Sequence, residues 1–269
     1  MPPKSDGDPD MSEFVLAKVE IEETAATIAA ARDYIEPAVT AIKAARAEIE
    51  RKIRRDDFFL TTLEPYSPGD DDGRVIHRMC EASNMAGVGP MATVAGTIAQ
   101  EAMEAMASEG CTHGWVDNGG DIALLLESAG TVEIFSEPDS RSACALELEP
   151  TDTIIGICTS SGRLGHSISL GNSDAAVAIA DNAILADALA TAIGNRVAGA
   201  DSLKTCFDPF KEIKGFIAGL AMIDGSVSIH GRLPRLVEID HRPERLTTHS
   251  KMSAPRFIGS YDSSPEVRT

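Results

Sequence analysis

The chain has 269 residues, 43% of them hydrophobic, enough to bury a substantial core in one large domain or two intimately packed halves. A formal net charge of −18 with only 4% aromatic residues excludes a nucleic-acid platform, which needs cationic grooves and stacking rings, and disfavours anionic membranes. No apolar run approaches the roughly 20 residues of a bilayer span, and the opening MPPKSDGDPDMSE lacks the basic and apolar regions of an export signal, so a cytoplasmic protein is expected.

Residues 1–12 mix Pro, Gly, Ser and Asp with little apolar content and read as a disordered acidic tail. FVLAKVEIEE (14–23) alternates as a strand does, and Ile35, Val39, Ile42, Ile49 and Ile53 recur at helical spacing, predicting a helix from about Arg32 to Arg55. Its basic end, RKIRR, suits a helix C-terminus. SPGDDDG then reads as a solvated acidic loop, because nothing in the local sequence positions its carboxylates.

Pro90 suits the first turn of a helix whose Met91, Val94, Ile98 and Ala102 form one apolar face, stopped by Gly110. Strands are expected at GWVDNGGDIALLLE, GTVEIFSE, ACALELE and TIIGICTSSG. A helix follows at about 181–195, and GFIAGLAMIDGSVSIHGRL makes a hairpin turning at Asp224-Gly225. After about Glu238 the sequence is Pro-, Arg- and Ser-rich, which divides the chain into a domain at 13–238 and a second disordered tail at 239–269. Cys80, Cys111, Cys144, Cys158 and Cys206 are odd in number and form no CxxC pair, so they read as reduced core thiols.

Three stretches carry chemistry. Asp187 and Thr191 stand four residues apart and share a helix face, offering a carboxylate and a hydroxyl to one hard cation such as Mg²⁺. The same spacing fits a purely structural pair, with Asp on the helix dipole and Thr bonded back to a carbonyl. Asn118-Gly119-Gly120-Asp121 has two adjacent glycines where a ligand can approach the backbone, and an ordinary hairpin turn explains the same letters. CTSSGRLGHS follows a strand with hydroxyls, two glycines and His166, a group able to relay a proton near neutral pH. It matches neither the Walker pattern nor a nucleophile elbow.

In order, RRDDFFLTTLEPY, AGVGPMATVAGTIAQ, VDNGGDI, GICTSSGRLGHSIS, LADALATAIGN and the terminal hairpin resemble the ApbE-like superfamily, whose founding members are FAD:protein FMN transferases. The resemblance covers about 14–238 and is closest to a soluble branch without an assigned activity, frequent in methanogens and other users of archaeal-type one-carbon cofactors. It implies a single α/β (α+β) domain with mixed sheets and packed helices. It also implies Mg²⁺ bound by Asp187, Thr191 and a backbone carbonyl at Ala92 or just beyond, in the segment resembling the transferases' GGIAKG. Asn118, Gly119, Gly120 and Asp121 resemble the flavin-nucleotide turn, and Thr159, Ser160, Ser161 and Gly162 a second ligand loop. His166 matches the histidine that opens HIIDPxTG in the transferases and is implied as the base.

This chain departs from that pattern in two places: MATVAG has no lysine, and HSISLGNSDA stands where DPxTG would be. The implied function is Mg²⁺-dependent flavin-nucleotide binding, with FMN transfer from FAD to an acceptor hydroxyl where the ancestral chemistry is kept. The alternatives are an enzyme of one-carbon cofactor (pterin, tetrahydromethanopterin or deazaflavin) biosynthesis and a non-catalytic ligand-binding protein on the same scaffold. A small nucleotide or pterin-like molecule is the expected partner, and assembly into a homo-oligomer stays open.

Overall fold

The computed structural model describes residues 14–136, 142–160, 171–240 and 257–258. Strands β1 (Phe14–Ile21) and β2 (Thr24–Ala31) form a hairpin turning at Glu22, whose φ is 51°. β2, TAATIAAA, has no equivalent among the elements expected from sequence, because small alanines blur a period-two pattern. Helix α1 (Ile35–Arg55) buries Ala38, Ile42, Ala45 and Ile49 on one face, as the spacing predicts. The same face carries Arg46, which donates to Glu22 and Glu23 at 2.8 and 2.6 Å and to Thr24 Oγ1 at 2.7 Å. One guanidinium therefore ties the hairpin turn to the helix.

A short α2 (Asp57–Thr61) is followed by α3 (Arg74–Ala86), also absent from the sequence reading. Its buried Val75, Ile76, Met79, Cys80, Ser83 and Ala86 do fall at helical spacing, but polar letters interleave them. Gly87 ends it in the left-handed conformation, φ 72°. The acidic loop before α3 corrects an expectation: the Asp72 side chain is only 6% exposed and pairs with Lys52 Nζ at 2.8 Å. A neighbour twenty residues away in sequence supplies the counter-charge that the local sequence could not reveal. Lys52 also lies 5.0 Å from the centroid of the Tyr66 ring.

A 3₁₀ turn at Pro90–Thr93 leads into α4 (Val94–Ser108). Next come β3 (Gly114–Asn118), β4 (Asp121–Leu125), β5 (Gly130–Ser136), β6 (Ser142–Leu148), β7 (Ile155–Ser160) and β8 (Ala175–Ala180). Helix α5 (Ala183–Arg196), β9 (Phe216–Ile223), β10 (Ser226–Gly231), β11 (Arg235–Asp240) and β12 (Phe257–Ile258) complete the chain. The expected hairpin turns at Asp224-Gly225, with positive φ at both. β11 runs across residue 238, and β12 pairs with β5 from within the stretch read as a tail.

Helices and antiparallel sheets build the domain. An eight-stranded sheet has the order β1-β2-β3-β4-β7-β8-β9-β10, and a four-stranded sheet the order β11-β6-β5-β12. The smaller sheet covers one face of the larger through Leu124, Val132, Leu146, Ile157, Val177 and Leu220. The helices cover the other through a core that includes Ile42, Met79, Met103, Cys158 and Leu189, giving three layers.

Helix α5 lies deepest on the helical side: 11 of its 14 residues are buried, and only Thr191, Asn195 and Arg196 reach solvent. Two glycines permit this depth. A Cβ on Gly156 of β7 would stand 2.3 Å from Ala183 Cα, and one on Gly96 of α4 would stand 2.3 Å from the Ala183 carbonyl oxygen. Backbone meets backbone at Ala183 from both sides.

Gly156→Ala is therefore expected to destabilise the protein by about 1–3 kcal/mol through overpacking. Gly119→Ala, in open space but at φ 72°, should lose about 1–2 kcal/mol from backbone strain alone. Urea unfolding checks both: a Gly156→Ala variant as stable as the wild type would contradict the close approach at Ala183, and a neutral Gly119→Ala would contradict the strain at the hairpin.

Candidate functional site

The site lies where the N-terminus of α4 meets the second turn of α5, over the ends of β4 and β7. The polar groups of α5 are few. Asn182 caps its start by accepting the Leu185 amide at 2.9 Å. Asp187 then stands among Ala186, Ala188 and Leu189, and is 8% exposed.

The first amides of a helix have no intrahelical acceptor, and at α4 the N-cap residue Thr93 contributes no side-chain cap. Asp187 does so from another helix, its Oδ2 accepting the Gly96 N–H at 2.8 Å. The structural reading set Asp187 on the dipole of its own helix; the carboxylate instead caps the start of α4. Only Oδ2 takes part in that bond, which leaves Oδ1 for other work. Burial raises the Asp187 carboxyl to about 7, against the opposing effect of the Gly96 amide.

Asp121 opens β4 directly opposite Cys158 of β7. It is only partly exposed, and burial followed by the charge of Asp187 pushes its carboxyl well above the usual carboxylate range. Burial and these two carboxylates likewise push the Cys158 thiol up, and its Sγ donates to the Ala183 carbonyl at 3.4 Å. Cys158 is the expected core thiol, here at the floor of the site. Burial raises both carboxyls, and the charge of Asp187 adds to the rise of Asp121, so a divalent cation beside them would be favourable.

Thr191, one turn beyond Asp187, has a partly exposed side chain. Its hydroxyl does not bond back to the Asp187 carbonyl, unlike Thr97, which bonds to the Thr93 carbonyl at 2.6 Å. Of the two readings of the Asp–Thr spacing, the back-bonded one is absent. The same face continues to Gly194, where an added Cβ would lie 3.5 and 3.6 Å from Ser173 Oγ and Ser160 Oγ. Among the described residues, neither buried hydroxyl has a hydrogen-bond partner.

The strand register sorts the remaining predicted residues. Cys158 belongs to the helical core and Ile157 to the inter-sheet core, so Ser160 faces α5 while Thr159 points to the other side of the sheet. Thr159 Oγ1 is also buried and unpartnered, but away from Asp187. Asn118 and Asp121 pair across a two-residue hairpin, with Gly119 and Gly120 at φ 72° and 104°, the geometry that a tight hairpin requires. The Asn118 amide donates to the Ala95 carbonyl at 3.2 Å, so Asn118 braces α4 and the turn brings Asp121 to the site.

Ala92 lies in the 3₁₀ turn just before α4. Within residues 92–95 the Thr93 carbonyl accepts from Thr97 Oγ1 and the Ala95 carbonyl from Asn118. Ser161, Gly162 and His166 lie outside the described residues.

Sequence reasoning missed Gly96, Gln100 and Ser173. A glycine inside a helix costs about 1 kcal/mol relative to alanine, and that anomaly in AGTIAQ was the available signal for a close approach. Gln100 and Ser173 gave no such signal. Hard oxygen donors suit Mg²⁺, which takes one or two carboxylates and completes its shell with water and phosphate. Asp187, with Thr191 on the same face, fits that chemistry. Among the described residues no cluster of three or more His, Cys, Asp or Glu side chains could hold a metal by itself, and no described helix is long and apolar enough to cross a membrane.

A sequence profile of the family described as "AbpE bacteria" matches residues 11–206. The UPF0280 protein of Methanocella arvoryzae is 46% identical over 231 residues, covering 86% of this chain and 94% of that one. That of Archaeoglobus fulgidus is 40% identical over 235 residues, covering 86% and 97%. Among solved structures, flavinyl transferase ApbE of Pseudomonas stutzeri in its apo form aligns over 83% of this chain and 96% of its own, with TM-score 0.53 and 11% identity. Flavin transferase ApbE of Vibrio cholerae aligns over 81% and 96%, with TM-score 0.53 and 13% identity; at such identities the likeness is one of fold. The length of the profile match and the near-complete overlap with the UPF0280 relatives establish that the chain belongs to the UPF0280 family of the ApbE-like superfamily.

Proposed function

We propose that this protein binds Mg²⁺ and a flavin nucleotide in the cleft beside α5 and transfers FMN from FAD to an acceptor hydroxyl. The observation that carries the reading is the buried Asp187, with one oxygen engaged by Gly96 and an uncommitted Thr191 hydroxyl on the same helix face. The solved neighbours named as flavin transferases support it. When bound, Mg²⁺ would neutralise charge on the ligand's diphosphate. Asp187 and Thr191 would hold it together with the carbonyl of Ala92.

Gly119 and Gly120 let the ligand approach the backbone, and the unpartnered Ser160 hydroxyl has hydrogen-bonding capacity to offer it. In the reaction the acceptor oxygen bonds to the FMN-side phosphorus, the bond to the bridging oxygen breaks, and AMP leaves. His166 is assigned the hydroxyl's proton. The reaction is placed in the cytoplasm.

A second reading is favoured by the missing lysine and DPxTG stretch: a reaction, or ligand binding alone, with a pterin-like molecule of one-carbon metabolism. Calorimetry with FAD, FMN and ADP, each with and without Mg²⁺, and with a pterin, separates the two. The proposal expects Mg²⁺ to strengthen binding of FAD and ADP while leaving FMN nearly unchanged, and expects Asp187→Ala to remove that difference. Heat from the pterin alone would move the function to the second reading.

The raised Asp187 carboxyl also has a signed consequence for stability. Its folded-state value, about 7, lies above the ordinary 3.8, so its contribution is fully present below about pH 4 and is lost as pH rises through 7. His113, whose affinity for protons is lowered mainly by burial, gains stability as pH rises, so the comparison must be with Asp187→Asn. Without metal, the melting temperature of the wild type relative to Asp187→Asn should fall between pH 5.5 and 8, and Mg²⁺ should reverse the fall at the alkaline end. A difference that stays flat across that range would show that Asp187 is not held in a desolvating site.

A further inference from the structure

Two rungs join α4 to α5, and they run in opposite directions along the two helices. The first is the Gly96 amide on Asp187. The second lies one turn further along α4 and one turn back along α5: Gln100 Oε1 accepts the Ala183 N–H at 2.8 Å. That amide opens α5 and has no acceptor within the helix. Gln100 is 3% exposed, so leaving either end of its side chain unpaired would be costly.

The far end of Gln100 is also fixed. Its Nε2 donates to Glu104 Oε1 at 3.0 Å. Arg78 of α3 grips the same carboxylate at 2.6 and 2.9 Å, and Arg74 adds a bond at 2.7 Å. Flipping the Gln100 amide would turn its NH₂ toward the Ala183 N–H and its oxygen toward the Glu104 carboxylate. The arginines thereby lock the carboxylate, the carboxylate orients the amide, and the amide sets the first turn of α5. Asp187 is four residues, one turn, beyond Ala183.

The Gly96 rung holds one oxygen of Asp187, and the Gln100 rung holds the first turn of the helix that carries it. We propose that Gln100 is a positioning residue that aims Asp187 at its cation, an assignment resting on the Mg²⁺ reading above. It touches neither metal nor substrate and acts through Ala183. Groups that orient a metal ligand typically change metal affinity by about 10–100-fold when removed.

The test uses the full chain with Mg²⁺ alone as the probe, comparing wild type, Gln100→Ala and the charge-conserving swap Gln100→Glu with Glu104→Gln. The swap keeps an acceptor for Ala183 and restores the amide–carboxylate bond in reverse. Gln100→Ala should weaken Mg²⁺ binding about tenfold or more, and the swap should recover most of it. Amide hydrogen exchange over 183–187 in the metal-free protein should quicken in Gln100→Ala, return in the swap, and change little over 192–196.

If Gln100→Ala does not fold, Gln100→Met, of similar length, takes its place. Lower thermal stability with unchanged Mg²⁺ affinity and unchanged exchange at 183–187 would overturn the proposal, as would a swap no better than the alanine variant. If the wild type itself takes up no Mg²⁺, the Mg²⁺ reading fails. The exchange measurement then decides separately whether Gln100 orders the Asp187 turn.

Discussion

The hydrogen bond from the Gly96 amide to Asp187 Oδ2 joins the start of one helix to the interior of another, and the layers around it are shaped to permit it. Gly96 and Gly156 let α4 and β7 reach the backbone of Ala183. A helix built mainly of Ala, Leu and Ile can be buried over most of its surface, which removes water from around its one buried ionisable group, Asp187. Asn118 braces α4 from the adjoining hairpin. The fold therefore provides a carboxylate whose position is fixed and whose charge is poorly solvated.

Those two properties pull in opposite directions, and the balance explains the site. A desolvated carboxylate favours its protonated form, as the rise of Asp187 to about 7 expresses. Asp121 nearby makes a second negative charge still less favourable. A hard cation would resolve both conflicts at once, replacing the proton and offsetting the field of a chain with net charge −18. That same field argues against binding a diphosphate without a metal, because local amides would have to outweigh it alone.

The sequence revealed what depends on local pattern. The amphipathic α1, the glycine hairpin at 119–120, the hairpin at Asp224-Gly225 and the shared face of Asp187 and Thr191 all follow from spacing. Missing were features set by partners distant in sequence. Asp72 looked solvated because Lys52 lies twenty residues away, and Asp187 looked tied at most to the dipole of its own helix because Gly96 lies 91 residues away. β2 was hidden by alanines too small to mark a buried face, and α3 by polar letters between its apolar ones. Strand parity, which divides Thr159 from Ser160, becomes readable only after the faces of β7 are assigned to their cores.

The most direct test of the central claim is the amide resonance of Gly96 followed by nuclear magnetic resonance through a pH titration of the metal-free protein. An amide bonded to a carboxylate reports the proton on that carboxylate. The account predicts that Gly96 shifts with a midpoint near 7, the value that burial gives Asp187, and that saturating Mg²⁺ moves the midpoint down. A Gly96 resonance that is flat between pH 5.5 and 8, or one that titrates identically in Asp187→Asn, would contradict it.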